Sequence, residues 1–217
     1  MQRSGAAGRP ALPALRAASP ALRAALRRDP AAAAEIRQLL SSAGALFGCQ
    51  AGEALFCTGF DRGDATPGRL DAALAELRAA LFLAGEGFTA VRPLGRGVGR
   101  TADLAALRGG TEYLFEVRWV SGGFGADAVK KLSAKCERKA AQLRAALKRA
   151  PQGRGGVVFV AGPLFPSLAW SGPDLAAAAR AVHAAQARAG LHVCLLAGDA
   201  SAVCPAWPQA ANGPKNA

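Results

Sequence analysis

Residues 101–120 have the sequence TADLAALRGGTEYLFEVRWV, and this stretch decides the fold. Two largely apolar runs flank Gly109 and Gly110. A Gly-Gly pair is typical of a two-residue hairpin turn in which both residues take positive φ angles. The sequence therefore predicts two antiparallel strands, Thr101–Arg108 and Thr111–Val120, joined by that turn.

The hairpin register fixes which side chains face each other across the two strands. Pairing outward from the turn, with Arg108 opposite Thr111, brings Asp103 directly opposite Glu116. Opposite Cβ atoms on one sheet face lie roughly 4.5–5.5 Å apart, and two carboxylates at that distance repel each other. A divalent cation that prefers hard oxygen ligands, Mg²⁺ or Mn²⁺, would relieve the repulsion. An ion pair with Arg118 is the structural alternative.

The sequence around the hairpin predicts a mixed sheet flanked by helices. A helix over Arg69–Leu83 and a strand over Phe88–Arg92 precede the hairpin. After it we predict a long helix, an apolar strand, a further helix and a last strand, over Ala128–Arg149, Gly156–Ala161, Pro173–Ala189 and Leu191–Ala197. Adjacent strands followed by helix–strand alternation favour an α/β fold.

Both ends of the chain are less regular than the middle. Residues 1–48 are rich in Ala, Arg and Pro, and we predict a helical or partly disordered arm there, with its best helix over Ala31–Leu40. Glycines and prolines favour a loop over residues 49–68. We expect one core domain over residues 69–204 and a disordered tail over residues 205–217.

The charge of the chain favours a polyanionic partner. Among 217 residues, 27 Lys and Arg outnumber 15 Asp and Glu, for a formal net charge of +12. Such an excess is typical of nucleic-acid-binding proteins, although a general bias towards Arg and Ala is the structural alternative. The long helix carries the densest basic cluster, and its candidate nucleic-acid contacts are Lys130, Lys131, Lys135, Arg138 and Lys139.

Cysteine usage and hydropathy indicate a cytoplasmic protein. The five cysteines are odd in number and include no C-x-x-C pair, so we expect reduced thiols and no zinc site. No apolar run approaches the roughly 18 residues that a membrane span needs. We therefore expect no membrane partner.

The motif around the hairpin resembles that of the PD-(D/E)XK nucleases, nearest the branch of Holliday-junction resolvases and RecB-type nucleases. In that family an Asp before a hairpin precedes an acidic residue, any residue and a Lys on the next strand. Asp103 matches the Asp, and Glu116-Val117-Arg118 matches the second part, with Arg in place of Lys. The resemblance implies a restriction-endonuclease-like αβββαβ core and Mg²⁺- or Mn²⁺-dependent phosphodiester hydrolysis of nucleic acid, DNA in the first place.

The resemblance also implies roles for individual residues. Asp103, Glu116 and the Val117 carbonyl would hold the metal, and Glu76 on the preceding helix would bind it or orient the nucleophile. Because Arg cannot give up a proton and is a bulkier donor than Lys, a replacement for the usual Lys is sought on the next helix.

A helical wheel places Lys135, Lys139 and Gln142 together on one flank of that helix. Arg118, or Lys135 or Lys139 in its place, would stabilise the charge that develops on the phosphate, and the RecB-type branch also carries a Gln on this helix. The alternatives are an inactive nucleic-acid-binding module or a basic structural subunit that keeps the nuclease fold. Resolvase-like relatives suggest a homodimer.

Overall fold

A computed structural model of the chain describes residues 24, 27, 30–64, 66, 68–94, 102–120, 127–148, 153–161, 172–186 and 191–208. The helices are α1 (Pro30–Phe47), α2 (Ala51–Cys57), α3 (Arg69–Gly85), α4 (Ala128–Leu147) and α5 (Gly172–Gln186). The strands are β1 (Thr89–Pro93), β2 (Leu104–Arg108), β3 (Thr111–Val120), β4 (Arg154–Ala161), β5 (Leu191–Ala197) and β6 (Ala200–Cys204). None of the described helices is long and apolar enough to cross a membrane.

The six strands form one mixed sheet in the order of the sequence, β1 to β6. β2 lies between β1 and β3 and runs antiparallel to both. β4 and β5 run parallel to β3, and β6 returns antiparallel to β5. The predicted α/β class and mixed sheet flanked by helices are confirmed.

The hairpin forms as its glycines predict. Gly109 and Gly110 both have positive φ angles, 54° and 76°. The pairing runs from Arg108 opposite Thr111 as far as Leu104 opposite Phe115, which is the predicted register. The turn therefore fixes which side chains of β3 face each sheet surface.

Helices cover both faces of the sheet, and each face has its own core. Residues of α3 pack with Phe88, Phe115 and Val158 on one face, while residues of α4 and α5 pack with Val157 and Phe159 on the other. Alternate residues of β4 thus serve opposite faces, as the pleat of a strand requires. A third apolar cluster joins α1 and α2 to the outer side of α3.

Several predicted boundaries are wrong. Residues 49–68 are not simply a loop, because they contain α2. Burial of Ala54 and Leu55 stabilises this short helix, and the Glu53 side chain accepts a hydrogen bond from the Gln50 N–H just before its first turn. The helix of the arm also continues beyond Leu40 to Phe47.

The C-terminal region contains a strand that the sequence did not suggest. β6 follows the expected last strand after a short turn and completes the edge of the sheet. Within the expected disordered tail, residues 205–208 are described, and Trp207 packs on Phe88 and donates from Nε1 to Glu86 at 2.8 Å. The remainder of the predicted tail, 209–217, lies outside the described residues, as do most of residues 1–29.

Candidate active site

The regular pairing of β2 with β3 ends at Leu104, one residue after Asp103. Leu104 is the strand partner of Phe115, yet the Asp103 N–H also donates to the Phe115 carbonyl oxygen, at 2.8 Å. Asp103 and Leu104 of one strand therefore both face Phe115 of the other, which is the arrangement of a β-bulge. The prediction that Asp103 lies directly opposite Glu116 is therefore wrong for the backbone, because the bulge takes Asp103 out of the hairpin register.

The Asp103 side chain explains the bulge. Its Oδ2 accepts a hydrogen bond from the Val117 N–H at 2.7 Å, whereas a regular ladder would give that N–H to the Ala102 carbonyl oxygen. A short Asp side chain can compete in this way with backbone pairing. Because the N–H and C=O of one strand residue leave the strand on the same side, the Val117 carbonyl is also directed towards the end of β2.

Glu116 is a buried carboxylate at the centre of the site, and its side chain forms an ion pair with Lys139. Only 2% of Glu116 is exposed, and its Oε2 accepts from the Lys139 Nζ of α4 at 2.5 Å. Burial, and then the charge of Asp103, raise the pKa of Glu116 to about 7, while Lys139 opposes the rise. The Asp103 carboxylate is held beside Glu116 by its hydrogen bond to the Val117 N–H. Asp103 and Glu116 therefore remain neighbours despite the bulge.

A third carboxyl group, that of Glu76 on α3, responds to the charges of this site. Glu76 is 9% exposed. Burial first, and the negative charge of Asp103 second, raise its pKa to about 9, while Arg69 and Lys139 act in the opposite direction. The charges of Asp103 and Glu116, one just before β2 and the other on β3, therefore both act on Glu76, although Glu76 lies on the opposite sheet face from α4.

The cation on Glu116 is Lys139, which replaces the ion pair with Arg118 considered from sequence. Arg118 is exposed and lies among the cations of α4 instead. Burial, followed by the charges of Arg118, Arg138 and Lys131, lowers the pKa of Lys135. These four side chains form a cluster of positive charge on the α4 side of the sheet.

The remaining predicted residues lie on the outer side of α4. Lys130 and Gln142 are exposed, and no contact places either of them against the three carboxyl groups.

Arg69, whose charge acts on Glu76, was not among the site residues predicted from the sequence. Its place on α3, two helical turns before Glu76 and therefore on the same side of that helix, is the signal that could have identified it.

The donor set at this site suits a magnesium-type ion better than a soft metal. Its candidate ligands are the carboxylates of Asp103 and Glu116 and the Val117 carbonyl oxygen, all of them hard oxygen donors. Among the described residues, no group of three or more His, Cys, Asp or Glu side chains is close enough to hold a metal ion. Mg²⁺ is usually held by one or two carboxylates, with waters and substrate phosphate filling its other positions. A two-carboxylate site fits that pattern.

We expect Asp103→Asn to stabilise the metal-free protein at alkaline pH. The amide oxygen can still accept from Val117 and the amide N–H can donate to Glu116, so the repulsion disappears and the pKa of Glu116 falls. A carboxyl whose folded-state pKa lies above its unfolded value loses stability as pH rises through the folded value. At pH 8 in chelator, recovery of about 2 kcal/mol would raise the melting temperature by roughly 4–8 °C.

The gain should shrink at pH 5, where Glu116 is protonated in the folded parent protein. Thermal melting of both proteins at the two pH values measures the difference. A lower melting temperature for Asp103→Asn at pH 8 in chelator would mean that a protein cation already balances the Asp103 carboxylate, and the repulsion argument would then fail.

Comparison of the chain with protein-family models, with curated proteins and with solved structures finds no match.

Proposed function

We propose that this protein is a metal-dependent nuclease that hydrolyses phosphodiester bonds in nucleic acid, with DNA as the first candidate. The observation that carries the proposal is that Asp103 accepts from the N–H of Val117, the residue next to Glu116, while Lys139 is bound to the buried Glu116 carboxylate. Two acidic side chains are placed together in a buried setting only where a proton or a cation compensates them. Strongly perturbed carboxyl groups of this kind cluster at functional sites.

The order of elements supports a restriction-endonuclease-like core. A helix (α3) precedes three antiparallel strands (β1 to β3), and a second helix (α4) leads into a parallel strand (β4). This is the αβββαβ order of such nucleases, with the acidic pair on β3 and at the entry to β2. Helix α5 and strands β5 and β6 extend the sheet beyond that unit.

The chemistry of the proposed reaction is that of two-carboxylate metal sites. A bound Mg²⁺ would supply a polarised water as nucleophile and offset charge on the scissile phosphate. Asp103 and Glu116 would be its protein ligands, with the Val117 carbonyl as a further candidate. Glu76, whose raised pKa keeps a proton on it at neutral pH, could donate a hydrogen bond within the site and would reach the ion only through water.

Lys139 is the residue we assign to the position usually taken by the motif lysine. Its ammonium is already seated on Glu116 and is 24% exposed along its side chain, so a substrate phosphate can reach it. A compact ammonium can stabilise the charge that develops on phosphate oxygens. Arg118 and Lys135, next to it, would bind phosphates of the same strand, and the exposed Lys130, Lys131 and Arg138 would extend that surface along α4.

A catalytically inactive nucleic-acid-binding module is the second candidate. The observation that favours it is the Lys139–Glu116 ion pair itself, because an ammonium can balance the buried carboxylate without any metal. The cationic cluster of α4 would then bind the phosphate backbone on its own. A structural role in a larger assembly would use the same surface, and the homodimer suggested by resolvase-like relatives stays a prediction.

Cleavage assays separate the two candidates. Purified protein is incubated with supercoiled plasmid, labelled duplex, single-stranded and four-way-junction DNA, and matched RNA, in Mg²⁺, Mn²⁺ or chelator. The nuclease proposal expects ion-dependent cleavage of at least one DNA form. If the protein binds these substrates but cleaves none of them with either ion, the binding module is the better account.

A further inference from the structure

We propose that Arg69 binds a phosphate group of the nucleic acid on the side of the carboxyl cluster opposite to α4. The inference rests on the proposed function for the identity of the ligand. Arg69 begins α3, on the sheet face opposite to α4. The other candidate phosphate contacts are the basic residues of α4 and Arg118 of β3. Cations would then flank the three carboxyl groups from both faces, which suits a polyanion that crosses the site.

Packing places the start of α3 against the far end of β3. Gly68, immediately before Arg69, has a φ of 76°, and a Cβ added there would lie 2.9 Å from Cζ3 of Trp119. Trp119 is three residues beyond Glu116 on the same strand. Seven residues separate Arg69 from Glu76, which is about 10 Å along the helix axis. Because helix side chains lean towards the N-terminus, Glu76 leans towards Arg69, whose charge lowers the pKa of Glu76.

One side of the Arg69 guanidinium is held in place by Asp64, which is itself fixed by backbone hydrogen bonds. Its Nε donates to Asp64 Oδ2 at 3.0 Å. The other oxygen of Asp64 accepts from the Thr66 N–H at 2.9 Å, and the Asp64 N–H donates to the Asp61 carbonyl oxygen at 3.2 Å. Hydrogen bonds from Thr66 first, and from Arg69 next, hold the pKa of Asp64 below its usual value. The anchoring partner therefore stays charged across the physiological pH range.

The other side of the guanidinium is the part available for a ligand. The Arg69 side chain is 27% exposed and that of Asp64 is 18% exposed. A guanidinium has five donors in a planar fork, and the Nε contact uses one of them. The two terminal nitrogens can form the paired hydrogen bonds with which Arg recognises phosphate. An arginine held through Nε loses little side-chain freedom on binding, because its orientation is set in advance.

Two variants break the same ion pair, but only the one that removes the cation should weaken binding. Arg69→Gln removes the cation, so DNA affinity should fall and the slope of log affinity against log salt should flatten by about 0.9 for duplex DNA. Asp64→Asn removes the competing carboxylate but keeps the cation, so affinity should stay level or rise. Binding is measured by fluorescence anisotropy with a labelled duplex in chelator, where no cleavage can occur.

Arg92 and Glu112 supply a matched control pair. Their ion pair also has an N–O distance of 3.0 Å and lies on the surface near the hairpin turn, away from the carboxyl cluster. Arg92→Gln and Glu112→Gln change net charge by the same amounts, so they measure the general effect of charge on binding. The proposal expects both controls to leave the salt slope unchanged.

The outcomes decide between phosphate binding and a structural brace. If Arg69→Gln and Asp64→Asn weaken binding alike, the ion pair only shapes the loop and the proposal is overturned. Equal effects of Arg69→Gln and Arg92→Gln overturn it as well. Should Arg69→Gln fail to fold, Arg69→Lys keeps a charge for Asp64 without the second pair of donors, and an unchanged affinity would count against the proposal. Binding without cleavage by the parent protein would refute the nuclease function but leave this inference standing.

Discussion

Replacing Glu116 with glutamine is expected to reduce Mg²⁺-dependent cleavage by about 10³-fold or more. The amide fits the same space, but it removes one of the two charged metal ligands and leaves Asp103 alone. The fold should survive, because Glu116→Gln removes a buried negative charge and Lys139 is exposed enough to turn towards solvent. Single-turnover cleavage rates and thermal melting of both proteins measure the two effects.

Glu112→Gln is the matched control for that experiment. Glu112 is four residues earlier on β3, and its ion pair with Arg92 is largely exposed, so its loss should change the cleavage rate little. If Glu116→Gln cleaves as fast as the parent protein, Glu116 is not a metal ligand. Equal losses in both variants would point instead to a general effect of charge on substrate binding.

Lys139→Met is expected to cost both stability and activity, with the stability loss growing as pH rises. Without the ammonium, the Glu116 carboxylate is buried without its partner, which costs about 3–5 kcal/mol if it stays ionised, or roughly 6–20 °C in melting temperature. Loss of Lys139 raises the folded-state pKa of Glu116 above about 7. The penalty should therefore be small at pH 5 and reach its full size only above the raised pKa.

A double-mutant cycle shows whether Glu116 is the source of that penalty. Lys139→Met combined with Glu116→Gln should recover most of the lost stability, because no buried charge then remains. Cleavage by Lys139→Met should fall by about 10²- to 10⁴-fold, whereas Lys135→Met, one turn earlier on α4, should mainly weaken binding. A stability loss that does not vary with pH would show that Lys139 contributes through packing alone.

Local sequence chemistry predicted the hairpin but not the bulge beside it. The positive φ angles of Gly109 and Gly110 follow from the residue type, and they fixed the pairing as far as Leu104. Beyond that point the Asp103 carboxylate accepts the hydrogen bond of the Val117 N–H, which interrupts the backbone pairing. A competition between one side chain and a backbone ladder depends on three-dimensional geometry, so no pattern in the sequence shows it.

The sequence reduced the possible cationic partners of Glu116 to a few residues, but it could not show which of them forms the ion pair. A helical wheel placed Lys135 and Lys139 on one flank of α4, because that flank depends only on the periodicity of the helix. Which of them reaches Glu116 depends on how far α4 is shifted along the sheet. Packing of Leu132, Cys136 and Leu143 into the core sets that shift, and it brings Lys139 to the carboxylate.

The sequence also failed to predict α2 and β6, two short elements that tertiary packing stabilises. The seven residues of α2 contain Gly52 and are too few to form a stable helix alone, but they bury Ala54 and Leu55 against α1 and α3. β6, with the sequence ASAVC, has no clear alternation and exists because it pairs with β5 at the sheet edge. In both cases a partner distant in the sequence supplies the stability that the local sequence lacks.

The most direct test of the metal-site account is the anomalous scattering of Mn²⁺ in crystals of the protein, collected with and without a bound oligonucleotide. The account predicts a peak between Asp103 and Glu116, roughly 2.0–2.3 Å from at least one oxygen of each carboxylate, and its loss in Asp103→Asn. The Lys139 ammonium should move off Glu116 as the ion binds. Crystals with saturating Mn²⁺ that keep the Lys139–Glu116 ion pair and show no peak at this position would contradict the account.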